Sequence, residues 1–407
     1  MPTFRATLVA WFSLIATPVL AQPGPAPLPP AEEPQPAPAL PPPVEPTPAP
    51  EAAPPPASEA LPAPPIAGVP EQAPPVAPPP PEPAAEEPGW PEKLSVGKSG
   101  GFFQPGALLQ FWTLFTHNED TTTSTFRLRR AELRVKGEIA PKLVGYQVMI
   151  DGAKTLNFGT NATTGALVPP ADTSLLQDFF ITFMSDYADV SFGQFKTPIS
   201  YEGYNSSSKT IFPERSRSSR QFGDRRDIGV RVEKKLGDHF YYYAGLFNGS
   251  GLNRTDADNE KDAALRLEVY PFKGFTLAGM GYTTVGERDE LVRDRVEGDI
   301  RYDDNNLILQ AEYIRAWDGD GDETLTKAHG GYVAAGYTFI DRIQPVLRAG
   351  LVDPDLDIDD NAFQHFEAGL NYLLRAHEMK LSLVGTYLEP ETGPSTFEAL
   401  FAAQVSY

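Results

Sequence analysis

The C-terminal stretch Phe397-Glu-Ala-Leu-Phe-Ala-Ala-Gln-Val-Ser-Tyr407 decides the fold, because its side chains alternate between two kinds. One set of alternate positions is aromatic or apolar and comprises Phe397, Ala399, Phe401, Ala403, Val405 and Tyr407. The positions between them include Glu398, Gln404 and Ser406. Successive side chains of a β-strand point to opposite faces, so the stretch predicts a strand with lipid on one face and water on the other.

Similar segments follow one another from Phe102 to the last residue, and the breaks between them are alternately short and long. The short breaks are Ile139–Lys142, Leu236–His239, Pro271–Gly274, Tyr302–Asn306, Ile340–Ile343 and Leu374–Glu378, and the long ones include Gly152–Leu175, Gly249–Lys261, Trp317–Ala328 and Val352–Phe363. An outer-membrane barrel has short periplasmic turns and long extracellular loops, whereas a soluble sandwich has no reason to separate the two. The pattern therefore predicts an outer-membrane β-barrel.

Sixteen segments can be counted, and an even number suits a single-chain bacterial barrel. They lie near 103–115, 125–137, 142–151, 176–185, 188–196, 226–235, 239–248, 262–270, 275–284, 293–302, 306–315, 329–339, 343–351, 363–374, 378–387 and 396–407. Tyr302, Tyr337 and Tyr372 are expected in the aromatic girdles at the bilayer edges. The terminal aromatic Tyr407 resembles the signal by which outer-membrane proteins are recognised for insertion.

The composition excludes several other classes of protein. The chain has no Cys, so neither a disulfide framework nor a thiolate metal site can form. The formal net charge of −20 argues against a nucleic-acid binder. Beyond the N-terminus no apolar run is long enough for a spanning helix, and a barrel needs lipid-facing side chains only at every second position.

The first ninety or so residues contain two different segments. Residues 1–21 carry an early cation, an apolar stretch and a Val19-Leu20-Ala21 ending, which predicts a secretory signal peptide cleaved after Ala21. Residues 22–92 hold 30 Pro and 10 Glu but no Lys or Arg, so we expect a disordered periplasmic arm with polyproline II character. The arm is either a tether that threads the peptidoglycan layer or a solvated acidic tail. The barrel is assigned to residues 95–407.

Charged residues occupy alternate positions on two of the predicted strands. On one strand they are Arg293, Arg295, Glu297, Asp299 and Arg301, and on the second strand of the barrel they are Arg130, Glu132, Arg134 and Lys136. A charge that faces lipid at mid-bilayer costs about 2–4 kcal/mol, so both faces should point into water. Sixteen strands leave an aqueous channel, and we expect the interior to be wet rather than packed.

The longest gap between predicted strands, residues 197–225, is basic although the chain as a whole is acidic. From Lys196 to Lys235 there are ten cations and five acids. Rings of Arg and Lys select anions in pores, and guanidinium groups suit phosphate oxygens through paired hydrogen bonds. A loop folded into the lumen would line the pore with these donors. The alternative is a basic surface loop that pairs with lipopolysaccharide phosphates.

Several motifs resemble the phosphate-selective porin O and P family. They are Phe192-Gly193-Gln194-Phe195-Lys196-Thr197-Pro198, Ser206-Ser207-Ser208, Glu214-Arg215-Ser216, Arg226-Asp227-Ile228-Gly229-Val230 and, on the second strand, Arg129-Arg130-Ala131-Glu132-Leu133. The resemblance covers roughly residues 95–407 and leaves the Pro-rich arm outside. It implies sixteen-stranded, trimeric outer-membrane channels in which the third long loop folds inward.

The resemblance also implies where the pore is narrowest. Lys209 and Arg215 would stand at the constriction, with Arg130 and Arg134 facing them across the lumen. Arg217, Arg220 and Arg226 are neighbouring guanidinium groups that complete the predicted anion site. The third strand offers Gln147, Met149 and Asp151 inward but no cation, which weakens the case for tight phosphate selectivity.

Other chemistry finds little support in the sequence. The acidic runs 318–323 and 353–360 resemble solvated loops more than calcium sites, because the spacing of an EF-hand is missing. None of the five His joins a Ser or an acid in a nucleophile motif. We therefore predict no enzyme activity, no cofactor and no metal site.

The predicted fold class is thus all-β, a 16-stranded antiparallel transmembrane barrel with an inward-folded third long loop after a disordered Pro-rich segment. The predicted function is a passive outer-membrane porin of a Gram-negative bacterium that selects anions of the phosphate or polyphosphate class. The alternatives are a structural envelope protein whose barrel anchors the arm, and a non-specific general porin. Expected partners are inorganic anions such as phosphate, lipopolysaccharide, the outer-membrane assembly machinery, two further copies in a homotrimer and, through the arm, peptidoglycan.

Overall fold

The computed structural model contains sixteen long strands, numbered β1–β16 here. It describes residues 94–96, 100–156, 159–160, 167–168, 175–223, 225–256, 259–286, 291–304, 306–321 and 325–407. The strands are β1 Gly101–Asn118, β2 Thr121–Ala140, β3 Val144–Asp151, β4 Leu176–Phe183, β5 Asp189–Lys196, β6 Arg226–Leu236, β7 Phe240–Phe247, β8 Lys261–Val269, β9 Phe275–Val285, β10 Leu291–Asp304, β11 Leu307–Asp320, β12 Thr326–Tyr337, β13 Ile343–Asp353, β14 Phe363–Arg375, β15 Met379–Pro390 and β16 Thr396–Ser406. The predicted signal peptide and arm lie outside the described residues.

These strands form one closed antiparallel barrel. Each strand pairs with its neighbour in sequence, and β16 pairs with β1 from Phe397 opposite His117 to Ser406 opposite Leu108. Leu94–Val96 adds a short strand beside Gly101–Phe103, and residues 159–160 and 167–168 form a separate small hairpin. The prediction of a sixteen-stranded barrel is confirmed.

The two faces of each strand differ as the alternation predicted. On β16, Phe397 and Phe401 are 50% and 42% exposed, whereas Gln404 on the lumen side is 4% exposed. Large apolar side chains therefore cover the outside of the barrel, where lipid replaces water. None of the helices in the described part of the chain is both long and apolar enough to cross a membrane.

Some loops are shorter than the sequence suggested. β1 and β2 continue through predicted loop residues to a two-residue turn between Asn118 and Thr121, and β11 runs on to Asp320. Thr121–Thr125 is rich in β-branched Thr, which favours extended pairing even in water. A polar stretch can thus extend a hairpin beyond the bilayer. A loop boundary that is predicted from polarity therefore lies too close to the bilayer.

Lipid-facing and lumen-facing positions of β16 should respond differently to a charge. We expect Phe401→Lys to destabilise the barrel by about 2–4 kcal/mol, because it places an ammonium group against lipid near the middle of the strand. Ser406→Lys should cost far less, since Ser406 faces away from lipid. The folded fraction of refolded protein in lipid vesicles, read from the heat-dependent shift in gel mobility, measures both effects. Equal loss for the two variants would contradict the facing assignment.

Candidate functional site: a loop across the barrel lumen

The segment between β5 and β6, residues 197–225, folds into the barrel, and we call it the inner loop. It contains two short helices, α1 Tyr201–Tyr204 and α2 Arg217–Phe222. The hydroxyl of Ser200 accepts a hydrogen bond from Gly203 N, and that of Ser216 accepts one from Ser219 N, so each helix is capped at its start. Most side chains of the loop are buried, which excludes the alternative of a surface loop.

Apolar side chains fix the inner loop to one side of the barrel. Ile211 and Phe212 pack against Tyr332 and Val346, and both loop residues are fully buried. Phe222 of α2 packs in a separate cluster that includes Ile314 and Val352. Burying such a side chain contributes about 1.5–3 kcal/mol. The expectation of a wet interior is therefore wrong on this side of the lumen, because the loop supplies a packed core there.

A buried charge network holds the middle of the loop. Arg348 on β13 donates to both carboxylate oxygens of Glu367, from Nε to Oε1 and from Nη2 to Oε2, each at 2.8 Å. Its Nη1 lies 3.2 Å from Oε1 of Glu202 in α1, and its guanidinium covers the ring of Phe212 at 4.3 Å. Burial raises the pKa of Glu202, and Arg348 opposes that shift. One arginine of the wall thus links two acids and an aromatic ring.

Further hydrogen bonds attach the loop to three more strands of the wall. Lys380 Nζ on β15 donates to Thr210 O at 2.5 Å, and Asn371 Nδ2 on β14 donates to Ile211 O at 2.8 Å. Glu214 reaches β2, where its Oε2 lies 2.7 Å from Nη2 of Arg129 and its Oε1 lies 3.6 Å from Nη2 of Arg130. The loop is therefore attached to the wall from β13 to β15 and, beyond the closure of the barrel, to β2.

The Arg129–Arg130 pair depends on an irregularity in β2. Gln110 on β1 pairs with Arg130, but the next residue, Phe111, pairs with Leu128, so Arg129 is the extra residue of a β-bulge. Both arginines consequently turn inward although they are adjacent in sequence, and both are buried. Arg129 was missed as a site residue because strict alternation assigns it to lipid. The available signals were the doubled Arg before Ala131 and the shift of the apolar positions from Phe126 and Leu128 to Leu133 and Val135.

Burial and charge act in opposite directions on Glu214. Burial acts to raise its pKa, but the guanidinium groups of Arg130, Arg129 and Arg220 outweigh burial and lower the pKa well below its usual range. The carboxylate therefore stays ionised and neutralises part of the positive charge around it.

A basic cavity of about 380 Å³ lies between the inner loop and the β2–β6 side of the wall. Eight cations and two acids are among its lining residues. The cations are Arg129, Arg130, Lys154, Lys196, Arg215, Arg220, Arg225 and Arg226, and the acids are Glu132 and Asp151. The cavity also includes Gly251 and Leu252 of the β7–β8 loop, so it opens toward the end of the barrel that carries the long loops.

A second cavity, of about 710 Å³, lies toward the short turns, and we call it the turn-side cavity. It is bounded by Arg134 and Lys209, by the β14–β15 turn and by the terminal Tyr407. Glu132 lines this cavity as well as the basic one. The two spaces therefore adjoin at Glu132, the described residue that both linings share.

The structure distributes the seven predicted site residues over three places. Arg130, Arg215, Arg220 and Arg226 line the basic cavity, whereas Arg134 and Lys209 line the turn-side cavity. Arg217 lies elsewhere and pairs with Glu398 on β16 at 2.8 Å. Sequence reasoning did not include Arg129, Lys154, Lys196 and Arg225 among the predicted site residues, although all four line the basic cavity.

Several of the lining cations also hold the backbone of the loop. Arg215 donates from Nε to Glu202 O at 2.5 Å and from Nη2 to Ser207 Oγ at 2.9 Å. Lys196 Nζ donates to Gly203 O at 2.8 Å and to Asn205 O at 2.6 Å. Replacing either residue would disturb the loop as well as the charge.

Gly193 allows β5 to lie close to β4 just before the inner loop begins. Gly193 has φ of +134°, and a Cβ there would lie 2.2 Å from Phe179 O on β4. Only glycine fits so close an approach of β5 to β4. β5 ends three residues later at Lys196, the residue that holds the first turn of the inner loop.

The charged face of β10 points inward as predicted, but its charges bind one another. Arg266 on β8 contacts Glu268, Glu297 and Asp299, and its ion pair with Glu297 measures 2.7 Å. Arg301 pairs with Glu268 at 3.0 Å and covers the ring of Tyr201 at 4.2 Å. These residues support the wall under the loop and are not among those that line the basic cavity.

No group of acids and His that could hold a metal ion occurs among the described residues. Asp318 pairs with Arg295 at 2.7 Å and Asp357 pairs with Lys327 at 3.1 Å. Asp322 and Glu323 of the first acidic run lie outside the described residues.

Comparison with known proteins identifies the class of barrel. Residues 113–290 match the model of the family described as phosphate-selective porin O and P. None of the curated proteins compared with the chain matches it. Among solved structures, the anion-selective porin from Comamonas acidovorans is 10% identical, with a TM-score of 0.57, and the match covers 75% of this chain and 100% of that one.

Two other barrels match to a similar extent. OmpT of Vibrio cholerae is 12% identical with a TM-score of 0.56, and OmpF of Salmonella typhi in complex with daunomycin is 13% identical with a TM-score of 0.55. Each match covers 77% of this chain and 100% of the other. At these identities the likeness concerns the fold. The family match over residues 113–290 and the fold point to a channel rather than an enzyme, and together they support a passive porin of the outer membrane.

Proposed function

We propose that this porin conducts anions of the phosphate or polyphosphate class through the basic cavity and the turn-side cavity in series. The observation that carries the proposal is the lining of the basic cavity, where eight cations stand against two acids in a chain whose net charge is −20. The net charge of the lining of the basic cavity is therefore positive, whereas the net charge of the whole chain is negative.

The location of these charges explains why they would dominate selectivity. A cleft lined by one sign of charge and enclosed by low-dielectric walls focuses its potential on the solute inside. Charges on the outer loops are separated from the lumen by water, and screening weakens them beyond about 8 Å at physiological salt. Guanidinium groups also bind phosphate oxygens in pairs, so they favour oxyanions over halides.

The reversal potential of the full-length protein in a planar bilayer under a potassium chloride gradient tests this proposal. We expect a sign that indicates preference for chloride, and a reduction of the chloride current when phosphate is added. A preference for potassium would overturn the proposal. Anion preference without any effect of phosphate would favour a general porin instead.

The remaining parts of the proposal concern the assembly of the protein and its location in the cell envelope. We infer that residues 1–21 are a signal peptide and that residues 22–92 form a periplasmic arm, either a tether through peptidoglycan or a solvated tail. We also infer a homotrimer, since one similar structure is the trimer form of Vibrio cholerae OmpT. Lipopolysaccharide and the outer-membrane assembly machinery complete the expected partners.

A further inference from the structure

Glu132 occupies a special position on the proposed anion route. Among the described residues it alone lines both the basic cavity and the turn-side cavity. Along β2 it lies between Arg130 and Arg134, which line one cavity each. A solute that passes from one cavity to the other therefore passes this carboxylate.

The carboxylate of Glu132 is more available than those of the neighbouring acids. It is 18% exposed, its Oε1 lies 3.8 Å from Nε of Arg130, and it makes no hydrogen bond to another described residue. By contrast, Asp151 accepts hydrogen bonds from the backbone of Ala131 at 2.9 Å and Ala153 at 3.1 Å. Glu214 is held by Arg129. At the junction of the two cavities a passing anion thus meets one acid that retains unused acceptor capacity.

A hydrogen-bond acceptor on a route lined by cations distinguishes anions that carry an O–H group from anions that do not. An ionised carboxylate can only accept hydrogen bonds. Sulfate also has only hydrogen-bond acceptors, so it could form no hydrogen bond with the carboxylate of Glu132. Hydrogen phosphate carries the same charge as sulfate at mildly alkaline pH, but it keeps one O–H that can donate to the carboxylate.

We propose that Glu132 is a specificity-determining residue that favours oxyanions with an O–H donor, such as hydrogen phosphate, over equally charged oxyanions without one. The cations attract both kinds of anion into the lumen, and Glu132 separates them at the junction of the cavities. This inference rests on the proposed anion conduction and adds the chemical basis of a preference within it.

The test compares how inorganic anions block the chloride current of the full-length protein at mildly alkaline pH. We expect hydrogen phosphate to block at about tenfold lower concentration than sulfate, which is the scale of one hydrogen bond to a charged group. Monofluorophosphate, a dianion of nearly the same size without an O–H, should behave like sulfate. This comparison requires no variant, so a folding defect cannot obscure it.

Variants then assign the preference to Glu132. Glu132→Gln presents both a donor and an acceptor, so the ratio between sulfate and hydrogen phosphate should fall to about one, mainly because sulfate blocks better. Glu132→Asp keeps the carboxylate and should keep the preference. Glu398→Gln removes one negative charge next to Arg217, away from the junction, and serves as the matched control.

The possible outcomes separate this inference from the proposed function. If Glu132→Gln strengthens block by both anions equally, Glu132 acts only as a charge and the inference fails. If the unmodified channel prefers anions but treats hydrogen phosphate, sulfate and monofluorophosphate alike, the inference fails while anion conduction stands. A preference for potassium in the unmodified channel would overturn both.

Discussion

Arg348→Met is expected to release the inner loop and to destabilise the barrel by about 3–5 kcal/mol. The substitution keeps much of the apolar stem but leaves the buried carboxylates of Glu202 and Glu367 without their shared partner. An unpaired buried charge is costly, and the most direct relief is for Glu202 to leave the wall with α1. The loop would then no longer be held across the lumen.

Two measurements detect this release. The single-channel conductance should rise, because the loop stops narrowing the pore, and the urea concentration at the unfolding midpoint should fall. Lys327→Met is a suitable control, since Lys327 and Asp357 form an exposed pair 3.1 Å apart whose loss should cost no more than about 1 kcal/mol. Unchanged conductance and stability in Arg348→Met would show that the loop does not depend on this anchor.

The second large effect concerns ion selectivity. Five of the eight lining cations also hold the loop or the wall, namely Arg129, Arg130, Lys196, Arg215 and Arg226. The charge reversals are placed on the other three, Lys154, Arg220 and Arg225, which take no part in those five sets of contacts. In the triple variant Lys154→Glu, Arg220→Glu and Arg225→Glu, five cations face five acids, counted from the lining of the basic cavity.

We expect this triple variant to lose the anion preference, since the focused potential depends on the net charge of the lining. The reversal potential under a salt gradient should move close to zero, and block by phosphate should weaken at least tenfold. The matched control reverses three exposed cations of the short turns, Lys142, Lys273 and Arg342, and changes the total charge equally. If both variants shift the reversal potential to the same extent, overall charge and not the basic cavity controls selectivity.

Much of the site could be predicted because the motifs and the cations that form it lie close together in the sequence. The motifs around Gly193, Glu214 and Arg226 marked both ends and the middle of the inner loop, and its excess of cations indicated an anion route. The individual roles could not be predicted. Arg215 appears in the sequence as a pore cation, yet it binds the carbonyl of Glu202, a residue thirteen positions earlier.

Arg129 and Arg217 show the two ways in which the sequence misleads. Alternation continued back from Leu133 and Ala131 places Arg129 on the lipid face, but a bulge opposite Gln110 shifts the phase by one residue and turns Arg129 inward. Arg217 belongs to the same basic segment as Arg220, yet α2 directs it to Glu398, which is 181 residues away in the chain. The pairing of Arg217 is not encoded near that residue in the sequence.

The sequence by itself determined the barrel, its sixteen strands and the face that each strand turns to lipid. Those properties follow from a repeat of two residues and from the cost of placing polar groups in hydrocarbon, and both are local. Only the tertiary structure decided which charges line the route and which bind one another. That choice depends on contacts such as Arg348 with Glu202 and Arg129 with Glu214, whose partners are brought together when the inner loop crosses the closed barrel.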